Sequence, residues 1–234
     1  MEDYYLTESL FVRDKTMYYL QKGVAKPLKN HNWHHFLDEI GWTKLPKGWI
    51  QKLNMFLPKP KNNSLFGCLD CGGDGDCFFH CLSFALDNEM DAKKLRKQLS
   101  ESICEETFEE MKQVYIAIED SFEESWNPQT ITFEEFKEKI KQGGNEYWGD
   151  SYILNLIREM LDINIYVLYS NESEKSYYNY PLFYEYDPSK QTVVLLYEDE
   201  IHFQLIGYFL NGMMTTLFTD EMIPQELREL LKIR

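Results

Sequence analysis

Two hydrophobic patterns follow one another along this chain, and their order limits the fold more than any other feature. Between Cys77 and Leu161 apolar residues recur at helical spacing; from Ile163 onward they gather in short strand-like runs. Cys77 to Leu86 reads as a short apolar helix. Asp91 to about Ala117 reads as one long amphipathic helix, with Leu95, Leu99, Ile103 and Phe108 near a single face. Thr132-Phe133-Glu134-Glu135 has the capping-box form and opens a helix that stops at Gly143-Gly144. Asp150 or Ser151 then caps a helix that turns Ile153, Leu154, Ile157 and Leu161 inward. Strands are expected from Ile163 to Tyr169, Thr192 to Tyr197 and His202 to Phe209, followed by a short strand after Met213 and an exit helix from Pro224. Helices first and strands later predict an α/β or α+β layer fold, a small central β-sheet flanked by helices.

At 234 residues the chain has room for one full core and an extension. Its net charge of −15 is unevenly spread. From Arg13 to Lys61 ten lysines and arginines face three acidic residues, a net of +7, whereas residues 62–234 carry 14 basic and 33 acidic groups, a net of −19. Pro58-Lys59-Pro60-Lys61-Asn62-Asn63-Ser64 has the composition of a linker between these parts. The expected division is therefore a basic, aromatic-rich lobe or extension at 1–61 and a main domain at 62–234. The first part, with Trp33, Phe36, Trp42, Trp49 and Phe56 at irregular spacing, reads as a small helical or irregular lobe that packs its aromatics onto the main domain. Its His31, His34 and His35 lack the acidic or sulfur companions of a metal site, and no metal is expected there.

The acidic balance argues against a duplex nucleic-acid partner. Met1-Glu2-Asp3-Tyr4-Tyr5 has neither region of a secretory signal, and no apolar run reaches the length of a membrane span. Five cysteines, Cys68, Cys71, Cys77, Cys81 and Cys104, are an odd number in a chain large enough to need no staples. A reducing, cytoplasmic setting is the expectation, with the chain acting as a monomer.

The most informative stretch is Gly72-Gly73-Asp74-Gly75-Asp76-Cys77-Phe78-Phe79-His80-Cys81. A cysteine just after a glycine-rich turn, in the first turn of an apolar helix, sits where unpaired N–H groups and the helix dipole favour a thiolate. The same N–H groups, from Gly75 and Asp76 to Cys77, are candidates to hold an oxyanion. A buried structural cysteine is the competing local reading. A four-thiolate zinc site at Cys68, Cys71, Cys77 and Cys81 is a third, although only five residues separate its two pairs. His80 shares the helix of Cys77, three positions on, and is poorly set to act as its base. His202 opens an apolar strand after Glu198-Asp199-Glu200, and strand alternation puts Gln204 on its face.

Asp74-Gly75-Asp76-Cys77-Phe78-Phe79, then Trp148-Gly149, then the strand at Ile165 to Val167, then His202-Phe203 resembles the OTU (ovarian tumour) family of cysteine peptidases, over residues 64 to about 210. The closing run after Met213, together with His202-Phe203-Gln204-Leu205-Ile206-Gly207-Tyr208-Phe209, is similar to OTU-like proteins of large DNA viruses. The resemblance implies a papain-type peptidase fold, a Cys77 nucleophile, a His202 general base and an active-site Asp74. Many members carry Asp or Asn where this chain has Gln204; the resemblance leaves Gln204 or Asp74 to orient the imidazole. Trp148 is a candidate wall for a substrate channel. The implied reaction is hydrolysis of the isopeptide bond between a ubiquitin C-terminus and a lysine, with no cofactor. Ubiquitin or polyubiquitin chains are the implied partners, together with ubiquitin-like modifiers, and the acidity of residues 62–234 suits a basic ubiquitin tail. A catalytically silent ubiquitin-binding module on the same fold is the alternative.

Overall fold

The computed structural model of the chain describes residues 3–61, 63–118, 127–144, 147, 149, 151–180 and 184–233. The fold is mixed α and β. Two compact units make it up, one of Met1–Asp70 with Asn164–Arg234 and the other of Cys71–Ile163. Among the described residues no helix is long and apolar enough to cross a membrane.

The first unit begins with a four-stranded antiparallel sheet, β1 (Tyr4–Tyr5), β2 (Leu10–Arg13), β3 (Thr16–Gln21) and β4 (Val24–Pro27), in chain order. This replaces the helical or irregular lobe expected there. Two tight turns build it. Arg13 pairs with Thr16 and Gln21 with Val24, so Asp14-Lys15 and Lys22-Gly23 are two-residue loops, and all four residues have positive φ. That is the primed turn whose twist matches paired strands. Neither Asp-Lys nor Lys-Gly is among its most favoured sequences, which is why the hairpins were hard to read.

After a short helix α1 (Trp33–Phe36), β5 (Trp42–Lys44) and helix α2 (Lys47–Asn54) lead to β6 (Phe66–Leu69). The second sheet runs β5-β6-β10-β9-β7-β8, with β7 (Asn164–Asn171), β8 (Ser176–Asn179), β9 (Thr192–Glu198) and β10 (His202–Leu210). Short strands β11 (Met213–Thr215) and β12 (Leu217–Phe218) pair with β10 and β9. β7 and β9 run parallel, and the other pairs are antiparallel. The three expected strands are β7, β9 and β10, each within two residues of its predicted bounds. They read as near-continuous apolar runs because residues of both parities are buried.

Helix α2 and the closing helix α8 (Gln225–Leu231) cover one face of this sheet, where Trp49, Leu53, Leu227 and Leu231 meet Phe66, Leu168, Val194, Leu196 and Ile206. On residues of opposite parity, Trp33 stacks on Phe209 at 6.1 Å between centroids. Of the aromatics of the first part, Trp33, Trp42 and Trp49 are essentially buried and Phe36 is half-buried, whereas Phe56 is exposed. Buried indole N–H groups need acceptors, and Trp49 Nε1 donates to the Tyr169 carbonyl at 3.1 Å. Pro58 to Ser64, the expected linker, therefore lies between elements that share one sheet, β5 before it and β6 after it.

The second unit is helical: α3 (Cys77–Ala85), α4 (Ala92–Ser102), α5 (Glu105–Ile118), α6 (Phe133–Gln142) and α7 (Ser151–Leu161). The long helix expected from Asp91 is two helices. Asp91 caps α4 through Lys94 N–H at 2.7 Å, but Ser102 Oγ donates back to the Leu99 carbonyl and Ile103 turns extended. The backbone restarts at Glu105-Glu106, two acids suited to a helix N-terminus. Leu95, Leu99, Ile103 and Phe108 are all buried as predicted, on both sides of the break. The Thr132 capping box forms as expected: its hydroxyl accepts from Glu135 N–H, and Glu135 accepts from Thr132 N–H. Residue 150, one of two expected caps for α7, lies outside the described residues, and the helix starts at Ser151. Helix α4 lies against α3, α6 and α7. It is thus covered on several sides, and even its Arg96 is only 1 % exposed.

Candidate active site

The Gly-rich segment of the second unit forms a tight turn. Asp74 and Gly75 have φ of 58° and 80°, and Asp76 N–H donates to the Gly73 carbonyl at 3.2 Å. Two consecutive positive φ values closed by that bond make a primed turn, for which Asp-Gly is a preferred pair. Aspartate tolerates the left-handed region at Asp74, and Gly75 enters it without steric cost. The turn delivers Cys77 as the first residue of α3, with Asp76 as the N-cap residue.

Asp76 makes no side-chain capping bond. Its carboxylate is held instead by Arg96, whose Nε donates to Oδ1 at 2.6 Å, and by Gly144 N–H at 3.1 Å. Arg96 neutralises the carboxylate beside the positive end of α3, so Asp76 does not compete with an anion at Cys77 for the helix dipole. The Asp76 N–H, one of the expected oxyanion donors, is spent on closing the turn. Asp74 is exposed on its outer side and Cys77 is buried. None of the five cysteines is in a disulfide, and no three His, Cys, Asp or Glu side chains converge as metal ligands among the described residues. Residue 148, the expected channel wall, lies outside the described residues.

Gly149, its neighbour in the motif, stands against Phe78 of α3. A Cβ there would lie 2.8 Å from Phe78 Cδ1 and 2.9 Å from Cγ. Phe78 is buried, and the atoms met lie at the near end of its side chain, where a ring cannot swing aside without moving its own backbone. Gly149→Ala is therefore expected to cost about 1–3 kcal/mol of stability, measured by urea unfolding, through overpacking at the base of Cys77.

In the first unit, His202 is the opening residue of β10. The turn before it, Asp199 and Glu200 with φ of 50° and 62°, is three residues long, so Glu198 on β9 is the direct cross-strand partner of His202. On the other side, β10 pairs with β6 through Leu205 and Leu69. Asp70 follows Leu69 and so comes level with Gln204, diagonal to His202 on the same face. Its Oδ1 lies 3.1 Å from His202 Nε2. Gln204 shares the face of His202 as expected, but its amide Nε2 donates to Glu198 Oε2 at 2.8 Å. The carboxylate touching the imidazole is thus Asp70, a residue the sequence reading passed over. An acid ending an apolar run, seven positions before a cysteine at a helix start, was the available signal.

Burial, together with the like charges of Asp199, Glu172 and Asp70, raises the Glu198 pKa above its ordinary 4.5, against the pull of His202. A carboxyl whose folded pKa is raised binds its proton more tightly in the native state. Its stabilising share is full below the unfolded value and is lost as the pH rises through the folded one. Glu198→Gln, which keeps an oxygen for Gln204, is accordingly expected to raise Tm at pH 7, with the gain vanishing below about pH 4. A calorimetric pH series checks both ends.

A family model described as OTU-like cysteine protease matches residues 72–205, over half of the chain and inclusive of Cys77 and His202. The chain belongs to the OTU-like cysteine protease family. Curated protein sequences give no match to it. Among solved structures, an ovarian tumour (OTU) domain in complex with ubiquitin is similar at 15% identity, covering 69% of this chain and 79% of that one, with a TM-score of 0.44. The Hazara virus OTU bound to ubiquitin is similar at 16% identity over 62% and 83% of the two chains, TM-score 0.43. An OTU deubiquitinase from Wolbachia pipientis wMel bound to ubiquitin gives 17% identity over 64% and 98%, TM-score 0.43.

Within this OTU family member, the predicted site residues fall into two groups. Asp74, Gly75, Asp76 and Cys77 belong to the helical unit, and His202 and Gln204 to the sheet unit, where Asp70 joins them. Arg96 is a second residue that sequence reasoning missed. A lone arginine on an amphipathic helix reads as solvated, and only the packing of α4 puts it inside.

Proposed function

We propose that this OTU-family protein is a thiol-dependent deubiquitinase that hydrolyses the isopeptide bond between a ubiquitin C-terminus and a lysine. Cys77 is the nucleophile and His202 the general base. With Nε2 of His202 at Asp70, Nδ1 is the nitrogen assigned to take the Cys77 proton, and Asp70 holds the tautomer that leaves Nδ1 able to accept. The thiolate adds to the terminal glycine carbonyl, and backbone N–H groups of the Asp74–Cys77 turn other than that of Asp76 face the oxyanion. The tetrahedral intermediate collapses by breaking the C–N bond, the lysine amine leaving with the proton from imidazolium. Water, deprotonated by His202, then cleaves the thioester and releases the free carboxylate and the Cys77 thiol.

The observation that carries this reading is the family match, which spans both a cysteine held at a helix start by an Asp-Gly turn and a histidine bonded to a carboxylate. Residues 62–234 are taken as the catalytic region and residues 1–61 as its extension, from which β5 and α2 are lent to the main sheet. Because the mechanism needs Cys77 reduced, we assign the protein to a reducing, cytoplasmic setting.

Ubiquitin carrying a C-terminal electrophile tests the proposal directly. The expected result is a covalent adduct whose peptide map locates the bond at Cys77. Ubiquitin that binds without forming an adduct would replace the enzyme with a silent ubiquitin-binding module.

A further inference from the structure

The helical unit contains one side chain whose role the reaction has not used. Arg96 Nε and Nη2 both reach Asp76 Oδ1, at 2.6 and 2.5 Å. Nη2 also donates to the carbonyls of Gly75 at 3.1 Å and Tyr147 at 2.9 Å, and Nη1 to that of Ile140 at 3.1 Å. Its guanidinium carbon lies 4.1 Å from the centroid of the Phe79 ring on α3. Two segments far apart in sequence meet at this one group: the turn before Cys77, and the end of α6 with the residues just after it.

The surroundings leave the group little freedom. Gly143 and Gly144 end α6 with φ of +75° and +63°, and they lie against the turn. A Cβ at Gly143 would sit 3.2 Å from Asp76 Oδ2 and 3.4 Å from Arg96 Cδ, and one at Gly144 3.3 Å from the Asp74 carbonyl oxygen. Gly144 N–H adds a bond to the same carboxylate oxygen that Arg96 holds. A planar fork of five donors is suited to several fixed acceptors at once, whereas an ammonium on a flexible stem is a point charge.

We infer that Arg96 is a positioning residue for Cys77, clamping Gly75 and Asp76 to the end of α6 so that α3 starts, and the thiol is presented, in one fixed geometry. The inference rests on reading Cys77 as the nucleophile. Fixing the Gly75 carbonyl sets the peptide plane before Asp76, and holding the Asp76 side chain anchors the residue whose carbonyl accepts from His80 N–H at 2.9 Å as α3 begins. Misplacing a nucleophile by an ångström lowers the chemical step far more than it weakens binding.

The test uses the full chain with Arg96→Lys, which keeps the charge and loses the fork, and Asp76→Asn, which keeps an acceptor and loses the charge. Gly212→Ala is the control for lost stability, since Gly212 has a φ of +85° and a Cβ there would meet Thr16 Cγ2 at 2.8 Å in the sheet unit, beyond the end of β10. Two readouts are taken well below each melting temperature. The first is iodoacetamide alkylation followed on the Cys77 peptide; the second is kcat and KM on a fluorogenic ubiquitin amide. Both clamp variants are expected to alkylate at least about fivefold more slowly and to lose roughly 10- to 100-fold in kcat with KM within about threefold, while Gly212→Ala matches wild type.

A folded Arg96→Lys or Asp76→Asn that stays within about twofold of wild type in both readouts overturns the inference, as does an equal loss in Gly212→Ala. Should Arg96→Lys not fold, Asp76→Asn decides by the same criteria. Should wild type alkylate at Cys77 without turning over ubiquitin, the proposed substrate is wrong and the alkylation comparison alone decides the role of Arg96.

Discussion

Cys77→Ala is expected to abolish turnover of ubiquitin conjugates and all adduct formation with electrophilic ubiquitin, while the protein stays folded and still binds ubiquitin. The thiol forms the bond in the proposed mechanism, and nothing else in the turn before α3 can replace it. Asp74 and Asp76 are carboxylates, one exposed and the other bonded to Arg96. Residual catalysis from an oxyanion hole and binding alone stays orders of magnitude below that of an intact nucleophile and base. Removing one buried sulfur also leaves a small void, so a loss of about 1 kcal/mol in urea unfolding is expected beside the chemical loss. Residual turnover above about 1% of wild type, with an adduct on Cys71 or Cys104, would move the nucleophile elsewhere.

Asp70→Ala is expected to lower kcat by about 10- to 1,000-fold at neutral pH with little change in KM. The reason is orientation. Without the carboxylate at 3.1 Å from Nε2, the imidazole is free to rotate and to adopt the tautomer that carries its proton on Nδ1, which cannot accept from a thiol. The upper end of the range belongs to buried triads; the Asp70 side chain is 64% exposed and His202 30%, so water replaces part of what is lost. Exposure also predicts that the fold is indifferent to the change, with Tm within about 2 °C of wild type. Asp70→Asn keeps an oxygen for the ring N–H and should recover part of the rate. Gln204→Ala is the informative contrast. Its amide is bonded to Glu198, so its loss should cost less than about threefold in kcat. If Gln204→Ala proves the more damaging of the two, the orienting role reverts to Gln204.

Much of the helical unit and of the main sheet was legible in sequence, because local rules and tertiary packing agree there. The Thr132 box, the Asp91 cap, the Asp-Gly turn before Cys77 and the apolar runs of β7, β9 and β10 each follow from residues within a few positions of one another. The break between α4 and α5 was not legible. Ile103 fits the buried face of a continuous helix as well as that of a broken one, and the decision falls to a single serine hydroxyl and two acids after it. The first four strands were missed for a related reason: their polar, aromatic sequence has short alternation and turn pairs outside the strongest preferences.

Sequence alone determined the turn-and-helix start that presents Cys77 and the strand that opens with His202, since backbone conformation at Asp74-Gly75 and alternation along β10 are local properties. It could not determine the partners of these groups. That Asp70 rather than Gln204 meets the imidazole depends on the register of β6 against β10, fixed by pairing between residues more than 130 positions apart. Likewise, Arg96 serves the turn before Cys77 because α4 is covered by other helices on several sides and a buried guanidinium must find acceptors for its donors.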